Sequence, residues 1–362
     1  MGLKIAVLDD YQGVAEQYFG TLGDEFEISY FKDTLLPYNH PATPQSVRDQ
    51  LAHRLEPFEI ISTTRERTPF PAELVRRLPK LKLLLTNGAR NLALDLDAFR
   101  EKGVVVATVV DVPPSTDPDH APPTVGATAE HVLALIMALA KNVAASDACV
   151  KSGGWQTGLS TSLSGKTLGV VGLGRLGAQT ARMLRAALGM QVIAWSPSLT
   201  QARADEQARA AGFESVVQPD GRPTFASVSR EDLFRRADVV SLHLVLSDRS
   251  RGLVTADDLR RMKSEALFVN TARGPLVVER DLLDVLQQGR IRGAALDVYD
   301  VEPLPADSEW RTTEWGRDGR SQVLLTPHTG YVDREVIHGW YKLQAEQVLR
   351  WKNGQELGMR LV

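Results

Sequence analysis

Three ionisable residues in the second half of the chain have side chains suited to proton transfer and anion binding. Arg273 lies in the segment NTARG, Glu302 in DVYDVEP and His328 in TPHTG. A guanidinium is permanently charged and binds carboxylates, an imidazole gains and loses a proton near neutral pH, and a carboxylate can orient that imidazole. The three together would form an anion clamp, a proton carrier and a group that orients the carrier.

Each of these residues also has an ordinary structural interpretation. Arg273 could cap the end of a helix, Glu302 could be a solvated loop acid, and His328 could be a hydrogen-bonded loop histidine. A catalytic role is favoured because all three lie just past the carboxyl ends of predicted strands, where open α/β sheets bind ligands. As a set they would fit the reversible reduction of a 2-keto acid.

The segment GLGRLG has the spacing of a phosphate-binding turn, with glycines at Gly172, Gly174 and Gly177. The first glycine permits a tight turn, the second lets backbone amides approach a pyrophosphate, and the third allows close packing of helix on strand. A glycine-rich structural turn is the alternative. An apolar strand at 168–171 and a helical segment at 176–188 favour dinucleotide binding, with the helix N-terminus facing the anion.

The position that contacts the adenosine ribose is Ser196, nineteen residues beyond Gly177. NAD sites usually carry Asp or Glu there. This chain has serine instead, so no carboxylate at this position would repel a 2'-phosphate. Ser196, Ser198 and Thr200 offer hydroxyls, and Arg203 is the nearest cation. The cofactor is therefore predicted to be NAD or NADP, with a slight preference for NADP.

Short apolar runs alternate with segments of helical period along the whole chain. This pattern predicts an α/β fold of two doubly wound parallel-sheet domains, a Rossmann dinucleotide-binding domain and a smaller flavodoxin-like substrate domain. The first strand series is predicted at 4–8, 26–30, 59–62, 81–85 and 104–107. The second is predicted at 167–171, 191–195, 238–243, 266–269, 293–298 and 322–325.

Residues 1–123 and 327–362 are predicted to form the substrate domain, and residues 124–326 the dinucleotide-binding domain. Their boundary is the proline-rich loop 111–123. Residues 128–150 are predicted to form one long apolar helix, buried in the protein or at a subunit contact. A final helix at about 333–352 could cross back onto the first domain. The polar stretches 218–228 and 306–320 are interpreted as surface insertions.

The ordered combination of GLGRLG, NTARG, LDVYDVEP and TPH resembles the D-isomer specific 2-hydroxyacid dehydrogenases over roughly residues 81–341. The resemblance implies hydride transfer between C4 of a nicotinamide and C2 of a small 2-keto or 2-hydroxy acid. It implies catalytic roles for Arg273, Glu302 and His328. The cofactor contacts that it implies are Arg175, Leu176, Leu246, Ser247, Thr271, Ala272 and Asp297, and the substrate-carboxylate loop is Asn87, Gly88, Ala89 and Arg90. Glu130 and His131 match the start of the family's long helix, where a structural role is expected.

Two rival functions remain open from the sequence. Formate dehydrogenases share the architecture but carry glutamine where Glu302 stands. Transcriptional corepressors of the same fold bind a dinucleotide, recruit proteins and can retain the same catalytic residues. The chain has no long disordered tail and no basic face suited to chromatin, and this favours the enzyme.

Composition limits the partners of this chain. Its 362 residues are 43% hydrophobic and 24% charged, and the net charge of −3 argues against nucleic acid as a partner. One cysteine excludes an intrachain disulfide, no metal-binding motif is present, and no apolar run is long enough to span a membrane. We therefore expect a cytoplasmic protein without metal that acts on a small 2-keto or 2-hydroxy acid. The apolar segment 128–150 predicts a homodimer.

Overall fold

The computed structural model describes residues 2–88, 91–110, 125–156 and 158–362. Within them the chain divides into two compact units. The first contains the described residues of Met1–Pro122 together with Val301–Pro303 and Val332–Val362, and the second contains those of Pro123–Asp300 and Leu304–Tyr331.

The strands are β1 (Leu3–Val7), β2 (Phe26–Tyr30), β3 (Ile60–Ser62), β4 (Leu83–Asn87), β5 (Val105–Val109), β6 (Thr167–Val171), β7 (Gln191–Trp195), β8 (Phe225–Ser227), β9 (Val239–Leu242), β10 (Leu267–Asn270), β11 (Gly293–Leu296), β12 (Gln322–Leu325) and β13 (Met359–Arg360). The helices are α1 (Glu16–Phe19), α2 (Gln45–Leu55), α3 (Ala72–Arg76), α4 (Leu96–Glu101), α5 (Ala127–Ala140), α6 (Val143–Lys151), α7 (Arg175–Leu188), α8 (Gln201–Ala210), α9 (Arg230–Arg236), α10 (Ala256–Arg261), α11 (Glu279–Gln287), α12 (Glu309–Thr312) and α13 (Arg334–Lys352). A short 3₁₀ helix spans Gly274–Leu276.

The strand orders confirm the predicted fold class. In the first unit the order is β13-β5-β4-β3-β1-β2, in which the five parallel strands have the flavodoxin-like arrangement and β13 is an antiparallel edge. In the second unit the order is β12-β11-β10-β9-β6-β7-β8, which is the Rossmann order with one further parallel strand.

Both faces of the second sheet are buried, which explains why its strands are apolar throughout. Val240 and Phe268 pack in one core cluster, whereas their neighbours Val239, Leu267 and Val269 pack in the other. Because successive side chains of a strand point to opposite faces, a strand covered by helices on both sides needs apolar residues at every position.

The prediction of one long helix at 128–150 is wrong. The chain forms α5 and α6, separated at Lys141 and Asn142, because Asn142 adopts a left-handed backbone conformation with φ 56°. The Asn142 side chain donates to the Leu159 carbonyl at 3.0 Å, a contact that holds the break. Among the described residues no single helix has the length and apolar composition to cross a membrane, and α5 and α6 meet those criteria only as a pair bent by 58°.

The two polar stretches are not simple surface insertions. Residues 218–228 contain β8, which pairs with β7 and buries Phe225 completely, so the second sheet has seven described strands rather than the predicted six. Residues 306–320 contain Trp310, which is buried and packs against Trp315 with ring centroids 5.8 Å apart. In each stretch one large aromatic side chain, Phe225 or Trp310, is buried in a hydrophobic core. The final helix is confirmed as α13, and it belongs to the first unit.

Candidate active site

One row of paired residues crosses the second sheet at the carboxyl ends of its strands. The row is Trp195, Val171, Leu242, Asn270, Leu296 and Leu325, each paired with its neighbours across six parallel strands. The next residues along the chain are Ser196, Gly172, His243, Thr271, Asp297 and Thr326. Because the strands are parallel and in this register, the loops that carry the predicted cofactor and catalytic residues of this unit leave the sheet along one edge.

The glycine-rich turn is closely packed on one side and open on the other. Gly172 has φ 101°, and a Cβ there would lie 2.9 Å from the His243–Leu244 backbone. A Cβ at Gly177 would lie 2.3 Å from the Gly172 carbonyl oxygen. In contrast, a Cβ at Gly174 would meet nothing within 4 Å.

This geometry fits a dinucleotide pyrophosphate. Gly174 is the N-cap of α7, and the first amides of a helix have no acceptor within the helix. These amides form the positive N-terminal end of α7, which faces the open space beside Gly174. A phosphate would bind there without meeting a side chain. Arg175 and Leu176 form the first turn of α7 at this end.

The loop after β7 places hydroxyls and one guanidinium near the predicted ribose position. Ser196 follows β7 directly, and its carbonyl accepts from the Leu199 amide at 3.1 Å. Thr200 caps α8, and the Arg203 Nη1 donates to the Ser198 carbonyl at 3.1 Å. Arg203 therefore folds back toward this loop instead of extending away from it.

The loop after β9 carries His243, Leu246 and Ser247. The His243 Nε2 lies 2.9 Å from the Ser241 Oγ, and burial of the ring lowers the pKa of His243 to about 4. The imidazole is therefore neutral at pH 7, beside the glycine-rich turn. The Ser247 amide donates to the Ser250 Oγ at 2.8 Å, which closes the loop on itself.

The segment from Asn270 to Gly274 is held by one side chain and one close backbone contact. The Asn270 amide group accepts from the Ala272 N–H at 3.1 Å and donates to the Arg273 carbonyl at 3.0 Å. A Cβ at Gly274 would lie 2.0 Å from the Tyr299 carbonyl carbon, so only glycine fits there. Thr271, Ala272 and the half-buried Arg273 are thus fixed from both sides.

The turn that carries His328 has an unusual backbone, and Asp297 supports it. His328 has φ 53°, a left-handed conformation that is costly for a residue with a Cβ. The Asp297 carboxylate accepts from the Thr326 hydroxyl at 2.6 Å, the Thr329 amide at 2.8 Å and the Gly330 amide at 3.0 Å. The His328 ring packs edge-on against Tyr331, with centroids 5.5 Å apart.

Asp297 is ionised in this environment although it is only 1% exposed. Burial by itself would raise the pKa of Asp297, but hydrogen bonds from His131, Thr326 and the Thr329 amide outweigh it and hold the pKa below the usual value for aspartate. The His131 Nε2 lies 3.2 Å from the Asp297 Oδ1. Sequence reasoning assigned Asp297 to the cofactor and missed this network, because its partners are distant in the chain.

The first unit carries the remaining predicted site residues. Asn87 ends β4 and its buried side chain accepts from the Arg65 amide at 3.0 Å. Gly88 has φ 94°, and the Arg65 Nη1 lies 3.3 Å from the point where its Cβ would be. Glu302 lies in Val301–Pro303, which groups with this unit. Ala89 and Arg90 lie outside the described residues.

The described residues contain no cluster of metal ligands. In the part of the chain that the structure describes, no group of three or more His, Cys, Asp or Glu side chains could hold a metal ion.

A family model for the NAD binding domain of the D-isomer specific 2-hydroxyacid dehydrogenases matches residues 133–330. The chain belongs to this family. The match includes the glycine-rich turn, the Arg273 segment and the His328 turn, so the described edge of the second sheet belongs to the family's NAD binding domain.

Relatives of this chain include proteins with several different names. A D-3-phosphoglycerate dehydrogenase of Mycobacterium leprae is 34% identical over 332 residues, which cover 91% of this chain and 53% of the relative. A glyoxylate reductase of Korarchaeum cryptofilum is 27% identical, with 94% and 91% coverage. The crystal structure of a phosphoglycerate oxidoreductase from Vibrio cholerae O395 is 31% identical, covers 97% of this chain and 99% of that chain, and has a TM-score of 0.78. The chain spans about half the length of the phosphoglycerate dehydrogenases it matches.

Proposed function

We propose that this protein is an NAD(P)-dependent oxidoreductase that transfers a hydride between a nicotinamide and C2 of a small 2-keto or 2-hydroxy acid of D configuration. The observation that carries the proposal is the row of strand ends in the second unit. It brings the glycine-rich turn, Thr271–Arg273 and the His328 turn to one edge of a sheet that the family model matches. The names of the phosphoglycerate dehydrogenase and glyoxylate reductase relatives support this substrate class.

The residues of the chain take three catalytic roles in this proposal. A bound nicotinamide dinucleotide supplies or accepts the hydride. In the direction of reduction, His328 donates a proton to the C2 oxygen, and Glu302 orients and stabilises the charged imidazole. Arg273 pairs with the substrate carboxylate and polarises the carbonyl group.

The remaining site residues bind and orient in this proposal. The loop of Asn87, Gly88, Ala89 and Arg90 holds the substrate carboxylate in this proposal. The Gly88 amide itself donates to the Val109 carbonyl at 2.9 Å, so Gly88 serves by allowing close approach. The cofactor lies along Gly172–Gly177, Ser196, Leu246, Ser247, Thr271, Ala272 and Asp297. Supporting this arrangement, Gly174 opens on free space at a helix N-terminus, and the backbone of the loop at Thr271 is fixed by Asn270.

Turnover with a panel of acids tests the proposal directly. Glyoxylate, hydroxypyruvate, its 3-phosphate and pyruvate are each mixed with NADH or NADPH, and the loss of reduced nicotinamide is followed by absorbance. We expect at least one acid to be reduced at a rate that is proportional to enzyme concentration. Binding of the dinucleotide without turnover of any acid would favour a corepressor-like scaffold instead.

We propose NADP as the slightly preferred cofactor, because the loop after β7 offers hydroxyls and Arg203 but no carboxylate. The substitution Ser196→Asp tests the site whichever cofactor the wild type prefers. An aspartate there would accept hydrogen bonds from the ribose hydroxyls of NAD and repel a 2'-phosphate. The ratio of NADH to NADPH efficiency should rise about ten- to thirtyfold, corresponding to about 1.4 to 2 kcal/mol.

The matched control is Ser264→Asp, because Ser264 is exposed and precedes β10, at the opposite edge of the same sheet. The ratio should not change in this variant. An unchanged ratio in Ser196→Asp would show that Ser196 does not lie at the ribose.

We propose a homodimer formed through α6 and the segment that follows it. No residue of α6 is buried, and four apolar side chains in this region are largely exposed: Val143 54%, Val150 55%, Trp155 74% and Leu159 87%. In this proposal the four side chains form one apolar patch, which is typical of a contact with another protein. A second copy of the chain would cover it with the same surface, as in a two-fold dimer.

Sedimentation velocity at micromolar concentration checks the dimer. The wild type should sediment as a dimer, and Trp155→Arg combined with Leu159→Arg should shift it to monomer. Val217→Arg is the control, because Val217 is a similarly exposed apolar residue elsewhere in the second unit. A wild type that is only monomeric would contradict the proposal.

The cytoplasmic location remains a prediction from the cysteine content.

A further inference from the structure

The catalytic histidine proposed above lies in a turn whose backbone conformation must be enforced by its surroundings. His328 has φ 53°, a left-handed conformation that a non-glycine residue keeps only where neighbouring contacts hold it. The His328 amide donates to the Thr326 carbonyl at 3.1 Å, within the turn itself. The contacts that impose the turn must come from other elements.

Asp297 provides those contacts on both sides of His328. Its carboxylate accepts from the Thr326 hydroxyl before His328 and from the Thr329 and Gly330 amides after it. Asp297 itself follows β11, which is paired with β12, so its position is fixed by the sheet. A single buried carboxylate thereby fastens the turn to the strand beside it.

His131, at the start of the second turn of α5, contacts the same carboxylate. Its Nε2 lies 3.2 Å from the Asp297 Oδ1 and 3.3 Å from the Thr326 Oγ1. The ring also limits the space at Gly330, where a Cβ would lie 3.4 Å from the His131 Cδ2 and 3.1 Å from the Asp297 Oδ2. Helix α5, the residue that follows β11 and the His328 turn therefore meet at one buried carboxylate.

From this geometry we infer that His131 and Asp297 form a positioning pair that fixes the orientation of His328 for proton transfer. The inference rests on the proposed function, because it takes His328 as the proton donor. His131 acts through the Asp297 carboxylate and the Thr326 hydroxyl, and needs no contact with substrate. Catalysis is sensitive to such support, since a misplacement of about 1 Å can cost about 10²-fold in rate.

The test compares two substitutions of His131, one that keeps a hydrogen-bond donor and one that has none. Glutamine can place its Nε2 near the position of the imidazole Nε2, whereas leucine fills similar space without a donor. We expect His131→Leu to lower kcat about 10- to 100-fold. The KM for the 2-keto acid and the Kd for the dinucleotide should change less than the turnover, and His131→Gln should recover most of the activity.

A loss that follows stability alone would overturn the inference. If His131→Gln is as impaired as His131→Leu, or if His131→Leu keeps kcat within about twofold of wild type, then His131 does not position His328. Thermal unfolding of both variants provides the comparison. Should His131→Leu fail to fold, Gly330→Ala replaces it, because the added methyl group presses on Asp297 and His131 and should also lower kcat without raising the Kd for dinucleotide.

Histidine NMR separates this inference from the proposed function. The chain has seven histidines, and the ring signal of His328 is assigned as the one lost in His328→Gln. That signal should shift or broaden in His131→Leu and stay near its wild-type position in His131→Gln. An inactive wild type that shows these shifts would contradict the proposed function and keep the positioning pair, whereas an unchanged His328 signal in both variants would contradict the pair.

Discussion

Replacing His328 by glutamine should lower kcat by about 10²- to 10⁴-fold, the usual contribution of general acid–base catalysis. Glutamine has nearly the size of histidine but cannot deliver a proton at neutral pH. The dinucleotide should still bind, because the glycine-rich turn lies on a different loop of the same sheet edge. Steady-state kinetics and a fluorescence titration with reduced cofactor measure the two effects separately.

The control for this substitution is His53→Gln. His53 has a largely exposed side chain on α2, and its replacement should leave both turnover and cofactor binding unchanged. Near-normal turnover in His328→Gln would remove His328 from the mechanism.

The second large effect is expected for Arg273→Ala. Removal of the guanidinium takes away a partner of the substrate carboxylate and a contact to the developing charge on the carbonyl oxygen. A lost charge-assisted hydrogen bond should raise KM about tenfold, and a lost transition-state contact should lower kcat about 10²-fold. The value of kcat/KM should therefore fall by about 10³-fold.

Arg273→Lys separates charge from geometry at the same position. Lysine keeps the positive charge but lacks the planar fork that binds a carboxylate through two parallel hydrogen bonds. Its kcat/KM should lie between those of wild type and Arg273→Ala. Unchanged kinetics in Arg273→Ala would assign Arg273 a structural role, such as support for the 3₁₀ helix that follows it.

The fold could be predicted from the sequence because its strongest signals are local. Buried parallel strands are continuous apolar runs, and all six predicted strands of the second unit are present near their predicted positions. The residues that follow those runs, such as Ser196 and Thr271, could be placed at the sheet edge for the same reason.

The features that the sequence did not reveal depend on contacts between distant residues. Residues 128–150 are helical in composition throughout, and the break at Asn142 is held by its bond to Leu159. Strand β8 has only three residues, and the burial of Phe225 depends on its pairing with β7. Asp297 has the sequence context of a strand end, whereas its partners His131 and Gly330 come from other parts of the chain.

Deuterium transfer from the cofactor to a chiral product tests the proposed reaction most directly. The protein is incubated with pyruvate or hydroxypyruvate and with reduced dinucleotide that carries deuterium at both C4 positions of the nicotinamide, and the product is analysed by mass spectrometry and chiral chromatography. Direct hydride transfer predicts a 2-hydroxy acid of D configuration with deuterium at C2. A product of L configuration, a product without deuterium, or bound dinucleotide with no product from any acid of the panel would contradict it.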